Sequence, residues 1–128
     1  MKTKSLKSYK TPLRYPGGKS RALSKLFQFI PDLKDYTEFR EPFLGGGSVA
    51  IEIGKRYPHI DIWVNDLYEP LYNFWKVLQS DGEKLKDILL QLKQRHPDFG
   101  SAKQLFLDAK DYLAKPVGNS IDRAVAFY

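Results

Sequence analysis

The sequence predicts an α/β fold in which parallel strands alternate with helices, and three observations carry that prediction. Apolar residues switch from helical spacing to alternation and back along the first half of the chain. A glycine triplet, Gly45-Gly46-Gly47, separates the first strand-like run from a helix, and a carboxylate, Asp66, closes the second. Strand, glycine loop, helix, strand, acid, helix is the order of a βαβ unit in an open parallel sheet with helices on both faces.

Each element follows from its own residues. After the Pro16-Gly17-Gly18 turn, Ala22, Leu23, Leu26, Phe27 and Ile30 recur at helical spacing, so a helix is expected from near Lys19 to just before Pro31. Tyr36 to Phe43 reads as a strand broken by the glycines, and Ser48 is placed to cap a helix whose stripe is Val49, Ile53 and Tyr57. Ile60, Ile62 and Val64 alternate as a second strand. Pro70 suits the first turn of a helix that buries Leu71, Phe74, Trp75 and Leu78. Asp81-Gly82 predicts a turn, and a separate helix through Leu85, Ile88, Leu89 and Leu92 should end at His96-Pro97. Helices through Ala102 to Leu113 and from Ser120 to Tyr128 complete the chain. Two strands are too little sheet for a doubly wound domain, so the 128 residues are expected to be a fragment of a larger one.

Composition narrows the chemistry. The absence of cysteine excludes disulfides, thiolate metal sites and cysteine nucleophiles, including the one that cytosine C5 methylation requires. No apolar run approaches the ~20 residues of a membrane span and no signal peptide is visible, so a cytoplasmic protein without membrane association is expected. The net charge of +6 is unevenly placed: eight basic and no acidic residues precede Asp32, against 13 basic and 15 acidic residues from Asp32 onward. Such a segment suits a polyanion, although a solvated basic tail over residues 1–10 explains part of it equally well.

The loop Glu41-Pro42-Phe43-Leu44-Gly45-Gly46-Gly47-Ser48 lies where a strand hands over to a helix, the place where open α/β sheets hold nucleotide-like ligands. Asp66 ends the next strand about 20 residues on, where a carboxylate accepts hydrogen bonds from ribose hydroxyls. A connecting loop and a helix cap are the plain alternatives for each feature alone, and together they favour an adenosine-containing ligand. The pattern Gly45-x-Gly47-x-x-Ala50 also admits a dinucleotide, but Glu41 at the loop mouth would repel a pyrophosphate and attract an amine or sulfonium. Gly18-Lys19-Ser20 is not a phosphate-binding P-loop, because Leu13 stands where that motif needs a glycine.

Three blocks in this order and spacing resemble the D12 class, or Dam-like group, of DNA adenine N6 methyltransferases: Pro12 to Ser20, Glu41 to Ser48, and Val64-Asn65-Asp66-Leu67 with Glu69-Pro70-Leu71. Asp122 to Tyr128 is similar to the helix preceding that family's target-recognition region. The resemblance implies an incomplete Rossmann-like, S-adenosylmethionine-dependent methyltransferase fold followed by a helical segment, acting on double-stranded DNA. It divides the chain into a basic tail (1–10), a cofactor-binding part (11–80) and a helical segment (81–128) leading to target recognition. It also implies a cofactor pocket lined by Tyr15 and Lys19 across the Gly17-Gly18 turn, by Gly45 and Gly47, by Phe43 against the cofactor, by Glu41 toward its methionine end, by Asp66 on the ribose and by Leu67 beside the adenine. The family's catalytic block, Asp-Pro-Pro-Tyr, does not occur, so no catalytic residue is assigned; the chain alone is expected to be inactive and to bind cofactor weakly at best. A half-domain of an NAD-dependent oxidoreductase and a non-catalytic nucleic-acid-binding module remain the alternatives.

Overall fold

The computed structural model describes residues 10–128, so the expected basic tail lies outside the described residues except for Lys10. The chain forms two compact units, one ending at Asp66 and the other comprising Leu67–Tyr128.

The first unit contains α1 (Leu23–Leu26), β1 (Glu38–Glu41), α2 (Ser48–Arg56) and β2 (Asp61–Val64). The strands pair in parallel, with Glu38 opposite Asp61 and Glu41 opposite Val64, as the βαβ reading requires. Alternation places Phe39 and Ile62 inward, where they meet Leu33, Ile53 and Ile60, while Glu38, Arg40, Asp61 and Trp63 are exposed. Ile53 of α2 is fully buried at the centre of this cluster and Val49 and Tyr57 flank it, so the predicted stripe is the packed face. Burial of one such side chain contributes about 1.5–3 kcal/mol.

Two local expectations change. Of the helix expected between Lys19 and Pro31, only four residues are α-helical; Gln28 and Phe29 donate to Lys25 and Leu26, three residues back, which tightens the segment into turns. No residue of α1 is buried, and a short helix without a buried face has little to hold it. Gly47, not Ser48, is the N-cap of α2: Ser48 is the first helical residue, and its hydroxyl is hydrogen-bonded to that of Ser20 at 2.8 Å.

The second unit is helical: α3 (Glu69–Arg95), α4 (Phe99–Leu113) and α5 (Ser120–Phe127). Pro70 occupies the first turn of α3, as its missing amide hydrogen allows. The break expected at Asp81-Gly82 falls at Asp81, whose φ −134° and ψ 33° are non-helical, so α3 consists of two helices that meet at a kink there, as predicted. Phe74, 1% exposed, sits among Trp75, Phe127 and Tyr128, the last stacked at 5.9 Å between ring centroids. Asp98 and Asn119 cap α4 and α5 by accepting from the amides of Ser101 and Asp122, each at 2.9 Å. Arg123 of α5 reaches Glu69 at 2.8 Å and donates to the carbonyls of Lys115 and Val117, which binds α5 to the start of α3 and to the α4–α5 loop. Among the described residues no helix is long and apolar enough to cross a membrane.

Candidate cofactor pocket

The pocket is built at the C-terminal ends of the two strands. The ladder continues past them: Asn65 donates to the Glu41 carbonyl at 3.0 Å and Leu44 donates to the Asn65 carbonyl at 2.9 Å, which lays the 42–47 loop across the end of β2. Gly45 and Gly47 adopt φ of 53° and 72°, a left-handed conformation that residues with a Cβ avoid, and the Gly47 amide closes the turn onto the Leu44 carbonyl at 3.0 Å. Asp66 holds this bend directly, its Oδ2 accepting from the Gly45 amide at 2.9 Å.

The opposite wall is the turn Tyr15-Pro16-Gly17-Gly18. Pro16 fixes its second position, Gly17 takes φ 74° at the third, and the Gly18 amide donates to the Tyr15 carbonyl at 2.9 Å. The Tyr15 side chain lies so close to the glycine loop that a Cβ on Gly46 would come within 3.2 Å of it. Between the two walls is a cavity of about 350 Å³. Tyr15, Gly17, Gly18, Lys19, Glu41, Phe43, Gly45, Gly47 and Asp66 all line it, although they come from three separate stretches of sequence. Leu67 is not among the lining residues; it begins the second unit and is 86% exposed. Pro16, Leu44, Gly46, Ser48 and Val49 also line the cavity. Pro16, Leu44, Gly46 and Ser48 fall inside the blocks marked in the sequence, and Val49 lies just outside them.

Two side chains in this cavity are placed at a cost to the fold. Glu41 has one carboxylate oxygen, Oε2, buried without a hydrogen-bond partner. Burial pushes its carboxyl above the ordinary carboxylate range, against the opposing pull of the Ala50 amide and the Lys19 charge. Phe43 is 77% exposed although it lines the cavity, so an aromatic ring stands in water at the mouth. Lys19 turns its ammonium onto the Gly17 carbonyl at 3.3 Å. Two carboxylates and one ammonium suit a ligand with cationic and anionic groups of its own and no phosphate, and the Glu41 oxygen calls for a donor such as an ammonium. Among the described residues no group of His, Asp or Glu side chains could hold a metal ion.

The parallel βαβ unit with its glycine loop and strand-end acid marks an α/β protein, and the comparison with known sequences specifies the family. Residues 15–127 match the family of D12 class N6 adenine-specific DNA methyltransferases, and the chain belongs to that family. It is similar to the DNA N-6-adenine-methyltransferase of Escherichia phage P1, with 29% identity over 114 residues, covering 89% of this chain and 14% of the phage protein. It is also similar to the Type II methyltransferase M.MjaIII of Methanocaldococcus jannaschii, with 31% identity over 84 residues, covering 63% of this chain and 29% of that protein. The Type II methyltransferase M1.LlaDCHI of Lactococcus lactis subsp. cremoris is 26% identical over 97 residues, covering 76% of this chain and 30% of its own length. The chain thus spans less than a third of each of these relatives.

Proposed function

We propose that this chain is the S-adenosylmethionine-binding portion of an enzyme that methylates adenine N6 in double-stranded DNA, built on an incomplete Rossmann-like methyltransferase sheet. Residues 11–80 carry the cofactor-binding part, and 81–128 form a helical segment toward target recognition. The carrying observation is the convergence of Tyr15 and Lys19, Glu41 and Phe43, and Asp66 on one cavity in a chain of this family. In this reading Asp66 grips the ribose while holding the glycine bend, Phe43 covers the cofactor, the buried Glu41 oxygen receives its ammonium, and Lys19 meets its carboxylate.

The bound cofactor supplies a methyl group activated by its sulfonium. These residues orient that group. A nucleophilic amine has to be held in line with it, and a base inside a duplex must first be extruded. The Asp-Pro-Pro-Tyr block that serves this purpose is not in the sequence, so the chain by itself is expected to show no methyl transfer.

Thermal unfolding in the presence of nucleosides tests the reading. S-adenosylmethionine at about 1 mM should raise the midpoint and NAD should not, because only a ligand that binds the folded state stabilises it. Asp66→Ala should abolish that shift and weaken binding at least 10-fold, by removing the ribose acceptor and the anchor of the glycine loop. Stabilisation by NAD alone would transfer the assignment to a dinucleotide enzyme. Duplex binding that survives Asp66→Ala, with no nucleoside bound, would make the chain a nucleic-acid-binding module.

A further inference from the structure

The two walls of the cofactor cavity are held by different means. The glycine loop is fixed at both ends, by β1 before it and α2 after it, and Asp66 braces its bend. The Tyr15–Gly18 turn belongs to a stretch, residues 11–22, that has no helix or strand of its own. Hydrogen bonds inside that stretch are local: Leu13 to Thr11, Gly18 to Tyr15, Lys19 to Gly17 and Ala22 to Lys19 each reach back two or three residues. They shape the turn without tying it to the strands. The Tyr15 ring lies near Gly45, but an apolar contact is non-directional and sets no register.

A directional tie comes from Ser20, the residue after Lys19. Its hydroxyl is hydrogen-bonded to that of Ser48 at 2.8 Å, across 28 positions of sequence. Ser48 is the first residue of α2, directly after Gly47, so its place is set by the helix and the glycine loop together. It is also buried, and its hydroxyl therefore depends on a protein partner. The two serines stand differently toward the ligand site. Ser48 lines the cofactor cavity, whereas Ser20 is not among its lining residues and stands on a second concavity, of about 580 Å³, that Ser48 lines as well.

We infer that Ser20 and Ser48 are positioning residues for the cofactor: their hydrogen bond docks the Tyr15–Lys19 wall at a fixed spacing from the glycine loop. The inference rests on the proposed function, and it names what holds that site in shape before the ligand arrives. Ser20 acts through Tyr15 and Lys19, the groups that meet the nucleoside in that reading. A wall tied down in advance need not be ordered by the ligand, so less of the interaction energy is lost to immobilising the chain.

Ser20→Ala, Ser20→Thr, Ser48→Ala and the double variant Ser20→Ala/Ser48→Ala of the full chain test this, by NMR titration with S-adenosylmethionine and by amide hydrogen exchange without ligand. Ser20→Ala should bind the nucleoside about 3- to 10-fold more weakly, the range for one hydrogen bond between neutral groups. Ser20→Thr keeps a hydroxyl at an exposed position and should bind within about twofold of wild type. The double variant should bind no more weakly than the weaker single variant, since both changes remove the same bond. Without ligand, the Gly18 amide should exchange about 3- to 10-fold faster in Ser20→Ala, while amides within α2 keep their wild-type rates. Wild-type affinity in Ser20→Ala would overturn the inference, as would single-variant losses that add in the double. So would α2 amides accelerated as much as Gly18, the mark of a general loss of stability. A wild-type chain that binds NAD in place of S-adenosylmethionine, or neither, overturns the proposed function itself and this inference with it.

Discussion

Glu41 carries two opposing demands on one side chain. Burial lifts its carboxyl above the usual range, so ionising it costs the fold: the stability associated with the protonated form is present below the ordinary carboxylate range and is lost as pH rises through the raised value. Replacing it by Gln keeps the shape of the side chain and removes the half-buried charge, and Glu41→Gln should therefore stabilise the ligand-free chain at pH 7 by about 1 kcal/mol in urea unfolding. The same change should weaken S-adenosylmethionine at least 10-fold in calorimetry, because the cation loses its counter-charge. In the wild type, cofactor affinity should fall on acidification from a pH above the ordinary carboxylate range, a titration that the Gln variant lacks. A Gln variant that is less stable yet binds normally would remove Glu41 from the site. That a carboxylate stands at the loop mouth is legible in the sequence; that one of its oxygens is sealed from water depends on how α2 packs over the strand end, which spacing does not reveal.

At the scale of elements, the junctions carry the information that periodicity omits. Gly118, between α4 and α5, adopts φ 98°, and a Cβ there would fall 1.7 Å from the Tyr112 hydroxyl oxygen. Gly118→Ala should destabilise the second unit by about 2 kcal/mol in chemical denaturation, from backbone strain plus displacement of that ring. A midpoint unchanged within error would mean the loop relaxes freely. Element type was legible wherever an apolar stripe met a partner: Val49, Ile53 and Tyr57 marked α2, and alternation at Ile60, Ile62 and Val64 marked β2. The stripe from Ala22 to Ile30 misled on extent, because Phe27 and Ile30 join the core from turns instead of from a continuous helix. Asp81-Gly82 marked the place where one helix gives way to the next, at a kink on Asp81.

Across the whole chain, the residues lining the pocket were readable because they cluster in three short blocks, whereas a second concavity, lined by Arg14 and Arg21 as well as the Tyr15–Gly18 turn, was readable only as charge. Arg14 and Arg21 are seven positions apart in a segment without regular structure at Arg14, so their sharing of one concavity is a tertiary fact. Each unit buries residues of its own, Ile53 in the first and Phe74 in the second. Phe74→Ala should cost about 3–5 kcal/mol in the helical unit, since it empties the space between Trp75, Phe127 and Tyr128. Circular dichroism at 222 nm should register the loss; a variant as stable as wild type would show that the aromatic cluster contributes little.

The chain has two tryptophans, Trp63 half-exposed beside Arg40 in the first unit and Trp75 edge-on to Phe74 in the second. Each unit therefore carries its own intrinsic fluorophore. With Trp63→Phe and Trp75→Phe, emission spectra would follow the melting of either half in isolation and reveal whether ligand bound by the first is felt by the second.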